Sequence, residues 1–105
     1  MGKILIKNGL VTDDVSSRLS DVLIIDSKIA KIAPCIDEVI GKDDRVIDAK
    51  GMLVLPGLID AHTHYHLVSR GTVTCDSFPQ GSRLAAFGGV TTVIDFADHN
   101  KGMDL

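Results

Sequence analysis

Two histidines and an aspartate stand at alternate positions in the run Asp60-Ala61-His62-Thr63-His64. In an extended strand successive side chains point to opposite faces, so Asp60, His62 and His64 share one side with Leu58. Ile59, Ala61 and Thr63 take the other. Two imidazoles on one face can reach a single metal ion without distorting the backbone, and zinc takes neutral imidazole nitrogens at roughly 2.0–2.1 Å. Asp60, one pleat deeper, is positioned to orient a ligand or a neighbouring backbone group. A His-x-His pair alone is more often an ordinary surface or core pair. What raises it to a metal site is the element that carries it.

That element is a strand followed by a helix and a second strand. Leu58 to Ala61 reads as a short strand running into His62-Thr63-His64, with a loop from about Tyr65 to Thr74. Asp76 or Ser77 fits a helix N-cap, which places Pro79 in the first turn, where its missing N–H costs little. Leu84-Ala85-Ala86-Phe87 continues the helix and Gly88-Gly89 ends it. Val90 to Phe96 is an almost continuous apolar run, as expected of a strand buried on both faces. The spacing predicts one βαβ unit with parallel strands and a right-handed crossover. In barrels of such units catalytic residues gather where strands end and βα loops begin, which is where the histidines fall.

The other reactive side chains have plainer readings. His66 follows the pair in a loop and is expected to be a pocket or surface residue rather than a third ligand. His99, among Asp98, Asn100 and Lys101, is expected to face solvent. Cys75 precedes the helix, where a helix N-terminus could lower a thiol pKa, but a small buried filler is the commoner role. Asp95, at the end of the second strand, is expected to hold a structural hydrogen bond rather than to act in catalysis. Asp37-Glu38 and Asp43-Asp44 read as a solvated turn region.

The first half is built differently, with short β-branched segments between turn signals. Lys3 to Lys7 reads as a strand, Asn8-Gly9 as a hairpin turn and Leu10 to Thr12 as its return. Ser20 to Asp26, Ile29 to Ile32 after a turn at Ser27-Lys28, Arg45 to Asp48, and Met52 to Leu55 complete a small antiparallel β unit. Such a half-sheet has open edges that something else must cover. The 105-residue chain is 45% hydrophobic with a net charge of −3, an ordinary globular composition without the basic stripe of a nucleic-acid binder. It contains no bilayer-length apolar run, and its opening lacks signal-peptide architecture. Cys35 and Cys75 form no metal-type pair, and a reduced, cytoplasmic compartment is expected.

The segment Leu55-Pro56-Gly57-Leu58-Ile59-Asp60-Ala61-His62-Thr63-His64 resembles the opening signature of the amidohydrolase superfamily. Gly71-Thr72-Val73-Thr74, and Ala85-Ala86-Phe87-Gly88-Gly89-Val90-Thr91-Thr92-Val93-Ile94-Asp95-Phe96, are similar to its dihydropyrimidinase and hydantoinase branch. The resemblance implies a mixed β and α/β fold. Residues 1–55 correspond to part of an N-terminal β-sandwich that C-terminal strands complete. Residues 56–105 correspond to the first βαβ unit of a metal-dependent (β/α)8 barrel. A barrel takes about 250 residues, so the chain is expected to be the opening piece of a longer enzyme, inactive alone.

The function implied is hydrolysis of a cyclic amide: a dihydropyrimidine, a hydantoin or a related cyclic ureide. In the family two zinc ions are held by the first strand's histidines, a carboxylated lysine, two later histidines and a late aspartate that shuttles protons. Of that set only His62 and His64 map onto this chain. Two cations lower the pKa of a water and polarise the substrate carbonyl, and an acid–base group carries the proton to the leaving nitrogen. The loop after the histidines shapes the substrate pocket in the family, which makes Tyr65, Leu67 and Val68 the specificity candidates. The family also implies a homo-oligomer, dimer or tetramer, with a small-molecule substrate and neither nucleic acid nor membrane as partner. Departures bear on the substrate: His66 stands where the branch often has an acid, Asp76-Ser77-Phe78-Pro79 lacks a second acid and a second aromatic, and Gly57-Leu58-Ile59 replaces Gly-Gly-Ile. The competing functions are another amidohydrolase (a dihydroorotase, allantoinase or deaminase), a dihydropyrimidinase-like assembly protein without hydrolytic activity, and a short binding module.

Overall fold

Alternating Ile and Leu in the first residues and a Val/Ile-rich stretch near residue 20 form the two longest strands, β1 (Ile4–Thr12) and β2 (Ser17–Ile25). The structure is a computed structural model that describes residues 2–96, so the expectation for His99 lies outside the described residues. The chain divides into two compact units, Met1–Pro56 and Gly57–Leu105.

In the first unit β1 is the central strand. It pairs antiparallel with β2, which pairs antiparallel with β3 (Lys28–Ala33). On its other edge β1 pairs parallel with β4 (Arg45–Asp48) and, further along, with β5 (Leu53–Val54). The sheet is therefore mixed and not antiparallel throughout, because the 34–44 segment carries the chain back before β4 begins.

Asn8-Gly9 makes no hairpin. β1 continues through it, and Lys7 and Asn8 together face the single residue Asp21 where the register jumps from Ile6↔Val22 to Gly9↔Ser20. Asn8 takes a left-handed φ of 62°, which a β-bulge can use as readily as a turn. The reversal comes instead at Asp13, whose Oδ1 accepts the N–H groups of Val15 at 2.9 Å and Ser16 at 2.7 Å. Asp26 and Ser27, both at positive φ, make the two-residue turn between β2 and β3.

Leu5, Leu23 and Ile36 form the core, with Ile25, Ala33 and Ile40 packed against it. Val11, Val22, Ile29, Ile32, Val54 and Leu55 line an apolar groove elsewhere on this unit. Ile29 is 66% exposed, so this surface is largely open among the described residues.

One charge lies inside the sheet. Asp21 is 2% exposed; its Oδ1 accepts the N–H of Asn8 and its Oδ2 the N–H of Ile36, both at 2.9 Å, with Lys7 Nζ 4.0 Å away. Burial pushes this carboxyl up, but the two N–H donors and the Lys7 cation outweigh it and hold the group below the usual carboxylate range. A group depressed in the folded state stabilises the fold fully above its unfolded pKa, about 3.9. That stabilisation is lost as pH falls through the lower folded value. Acid unfolding followed by circular dichroism is thus expected to show the wild type losing stability below about pH 4. Asp21→Asn should be flatter there, and equal slopes would remove Asp21 from the acid response.

In the second unit β6 (Leu58–Thr63) pairs parallel with β9 (Val90–Asp95), and α1 (Phe78–Phe87) lies between them in sequence and packs on β9. The expected loop contains a short hairpin, β7 (Val68–Ser69) with β8 (Thr72–Val73), turning at Arg70 and Gly71, both at positive φ. Ser77 is the N-cap of α1, but its hydroxyl donates to Gln80 Oε1 rather than accepting a backbone N–H. Gly88 and Gly89 close the helix by donating to the carbonyls of Leu84, Ala85 and Ala86. β9 is not buried on both faces: Ile94 is 57% exposed, since among the described residues its one strand partner is β6. No helix among the described residues is long and apolar enough to cross a membrane.

Candidate metal centre

The start of β6 depends on a close approach. Between Leu58↔Val90 and Ile59↔Thr92 the partner strand carries one extra residue, Thr91, and its side chain occupies the space a Cβ at Gly57 would need. Any larger residue at Gly57 would push Thr91 away and disturb this register. Further along, β6 carries the extra residue, between Asp60↔Val93 and Thr63↔Asp95, so the strand is bulged at Ala61–His62. Bulges at strand ends re-aim side chains. Here Asp60 Oδ1 accepts the His62 backbone N–H at 3.2 Å, across the bulge.

His62, within the bulge, and His64, just past it, turn toward each other. Their Nε2 atoms lie 3.1 Å apart and their rings meet edge to face, with centroids at 5.0 Å. Phe96 covers both imidazoles, stacking on His64 with centroids 4.7 Å apart and tilting on His62 at 4.8 Å. Both histidines remain exposed. The donor set fits zinc: two nitrogens on a tetrahedral ion at roughly 2.05 Å would stand about 3.3 Å apart. A neutral pair can also share one proton across the same gap as an Nε2–H···Nε2 hydrogen bond. Among the described residues no third His, Cys, Asp or Glu joins the pair in a metal-binding group, and the sites zinc normally occupies have three or four protein ligands.

Directly behind the pair is Asp95. Its Oδ2 accepts the Thr63 hydroxyl at 2.9 Å and the Tyr65 backbone N–H at 2.9 Å. The Tyr65 N–H is the main cause that holds this carboxyl below the usual range. Burial opposes it, and the Thr63 hydroxyl, the Phe96 N–H and the nearby His64 imidazole reinforce it. Thr63 is 8% exposed, on the face of β6 opposite the histidines. The hydroxyl of Thr74 donates to the His64 carbonyl at 3.1 Å and accepts the Leu67 N–H at 2.9 Å, which ties the far side of the loop to the strand end.

The specificity candidates separate. Tyr65 is half-buried, its ring edge-on to Phe78 at 5.4 Å and lying against Gly81, where a Cβ would overlap the ring. This contact seats the loop on α1. Leu67 is half-buried, while Val68, in β7, is 60% exposed. His66 is exposed at φ 52°, its N–H donating to the Asp76 carbonyl at 2.9 Å, and it does not join the histidine pair. Cys75 is exposed rather than a buried filler. Phe96, Thr63 and Thr74 were not singled out from sequence. Thr63 alternates with the histidines and so carries a periodic signal, whereas the contacts of Phe96 and Thr74 depend on long-range folding.

The imidazole pair thus stands at the end of the first strand of a βαβ connection. The model of the amidohydrolase family matches residues 45–101, and the chain belongs to that family. Within it, the chain is similar to the hydantoinase and dihydropyrimidinase branch over nearly its whole length. It is 48% identical to D-hydantoinase of Geobacillus stearothermophilus, covering 96% of this chain and 21% of that protein. It is 45% identical to dihydropyrimidinase 2 of Caenorhabditis briggsae, covering 97% and 19%. The crystal structure of dihydropyrimidinase from Brevibacillus agri NCHU1002 superposes with a TM-score of 0.87 at 42% identity, covering 98% of this chain and 22% of that one. The chain thus spans about one fifth of the length of the relatives it matches.

Proposed function

We propose that the protein carrying this chain is a zinc-dependent hydrolase that opens the cyclic amide bond of a dihydropyrimidine, a hydantoin or a related cyclic ureide. The observation that carries the reading is the His62–His64 pair, with Nε2 atoms 3.1 Å apart at the end of a parallel strand. The similarity to enzymes named for hydantoin and dihydropyrimidine substrates supports the substrate class. In this reading the second unit opens a (β/α)8 barrel and the first is part of its β-sandwich. The enzyme is a cytoplasmic homo-oligomer, dimer or tetramer, a compartment that suits the free thiols of Cys35 and Cys75.

His62 and His64 would hold a zinc ion through Nε2. Bound zinc supplies a water of lowered pKa and a polarised substrate carbonyl. The chain's own residues do the positioning. Asp60 holds the His62 backbone across the bulge, and Phe96 shields one side of both imidazoles from water. Tyr65, Leu67 and Val68 belong to the loop that shapes the substrate pocket, with Tyr65 anchoring it on α1.

The test uses the intact protein from its natural source. Zinc is measured by elemental mass spectrometry, and ring opening of hydantoin and dihydrouracil by loss of ultraviolet absorbance. About two zinc ions per chain together with turnover of either ring are expected. A metal-free protein that opens neither ring would overturn the reading and favour an assembly role.

A further inference from the structure

Among the described residues Asp95 is the one carboxylate whose hydrogen bonds bracket a metal-ligand candidate. Its Oδ2 accepts from Thr63 on one side of His64 and from Tyr65 on the other, both at 2.9 Å. His64 is therefore flanked by two fastenings to a single atom of the adjacent strand, the Thr63 hydroxyl on one side and the Tyr65 backbone N–H on the other. Strand pairing alone does not fix this point, because β6 is bulged just before it and the register at Thr63↔Asp95 is the last in the ladder. His64 itself projects forward, with its Nε2 3.1 Å from that of His62. We infer that Asp95 is a positioning residue that sets the direction of the His64 imidazole through this two-point clamp, and so sets how tightly the histidine pair holds a metal.

The reasoning is geometric. An imidazole reaches well beyond its backbone, so a small rotation of the peptide on either side of His64 displaces Nε2 appreciably. Two contacts accepted by one carboxylate oxygen oppose rotation in both senses, whereas one contact would leave a hinge. Thr63 adds a brake of its own, since its hydroxyl also approaches the Ile94 carbonyl at 3.4 Å. A partner that orients a ligand without touching the metal typically changes affinity by about 10–100-fold when removed. Asp95 reaches His64 through its neighbours, whereas Asp60 reaches His62 directly, so the two carboxylates serve different histidines.

This inference rests on the zinc-hydrolase reading, and the experiment separates the two. Zinc dissociation is measured in the intact protein by competition with a chromophoric chelator. The visible absorption of the cobalt(II)-substituted protein and the unfolding temperature are recorded on the same samples. Asp95→Ala is expected to weaken zinc binding by about 10–100-fold and to alter the cobalt spectrum. Asp95→Asn keeps an acceptor oxygen and should recover most of both. A residue with a purely structural role would lower the unfolding temperature and leave affinity and spectrum at wild-type values, and that result overturns the inference. If Asp95→Ala fails to fold, Thr63→Val decides: it removes one arm of the clamp while nearly keeping shape. Weaker zinc binding then supports the clamp, and unchanged binding overturns it. A wild type that binds neither zinc nor cobalt overturns the hydrolase reading and this inference together.

Discussion

In the zinc-hydrolase reading proposed above, replacing either His62 or His64 by alanine in the intact protein is expected to abolish stoichiometric zinc at the site and to lower kcat/KM for the cyclic amide by more than about a hundredfold. The size follows from comparison with outer partners, whose removal already costs about 10–100-fold. Losing a ligand outright must exceed that. With one imidazole gone, the other is left on an exposed strand end with Phe96 as its ring neighbour. The two variants should also behave alike, because the Nε2 atoms face each other across one 3.1 Å gap and neither has a better-placed substitute. His66 is not expected to take over, since it does not form a metal-binding group with the pair. Metal content and steady-state kinetics on the same preparations check this. Retention of full zinc and activity in either variant would mean that the pair is not the metal centre.

The second large effect concerns stability. Asp21→Ala is expected to destabilise the protein by about 2–4 kcal/mol. It leaves the Asn8 and Ile36 N–H groups without an acceptor, the latter well inside the unit. The informative comparison is Asp21→Asn. A carboxylate offers both oxygens to two converging donors, whereas an amide offers one and aims its NH2 at the other donor. Asparagine should therefore rescue little, although it nearly matches aspartate in size. Chemical denaturation of the two variants beside the wild type measures this. A near-wild-type Asp21→Asn would show that one hydrogen bond carries the effect.

The contrast between the two carboxylates shows which parts of the molecule could be read in advance. The convergence of His62 and His64 was legible because side chains two apart share a face of an extended segment, a local property. A hydrogen-bonding role for Asp95 followed from its place at a strand end. Its partners did not, since Thr63 and Tyr65 lie about thirty positions earlier and meet it only through the β6–β9 pairing. Asn8-Gly9 misled for a definite reason. The dipeptide signals a left-handed φ, and a bulge inside a continuing strand uses that conformation as well as a hairpin does. The parallel attachment of β4 and β5 to β1 was equally hidden, because hydrophobic alternation says nothing of strand direction. The apolar run of β9 points to two covered faces, and among the described residues only part of that cover is present.

The bulge at Lys7–Asn8 also divides β1 into two stretches that answer to different partners. Ile4–Lys7 lies beside Arg45–Asp48, and Leu10–Val11 beside Leu53–Val54. The bulge absorbs the extra residue and so keeps Gly9 to Thr12 in step with Ser17 to Ser20. Forcing the extra residue into a plain ladder, with no bulge, would turn every later side chain of the strand to the opposite face. Gly9 would lose its place beneath Val54, and Leu10 and Val11 would exchange inside for outside. The bulge is thus what lets this strand carry one residue more than its partner while both stretches keep their faces.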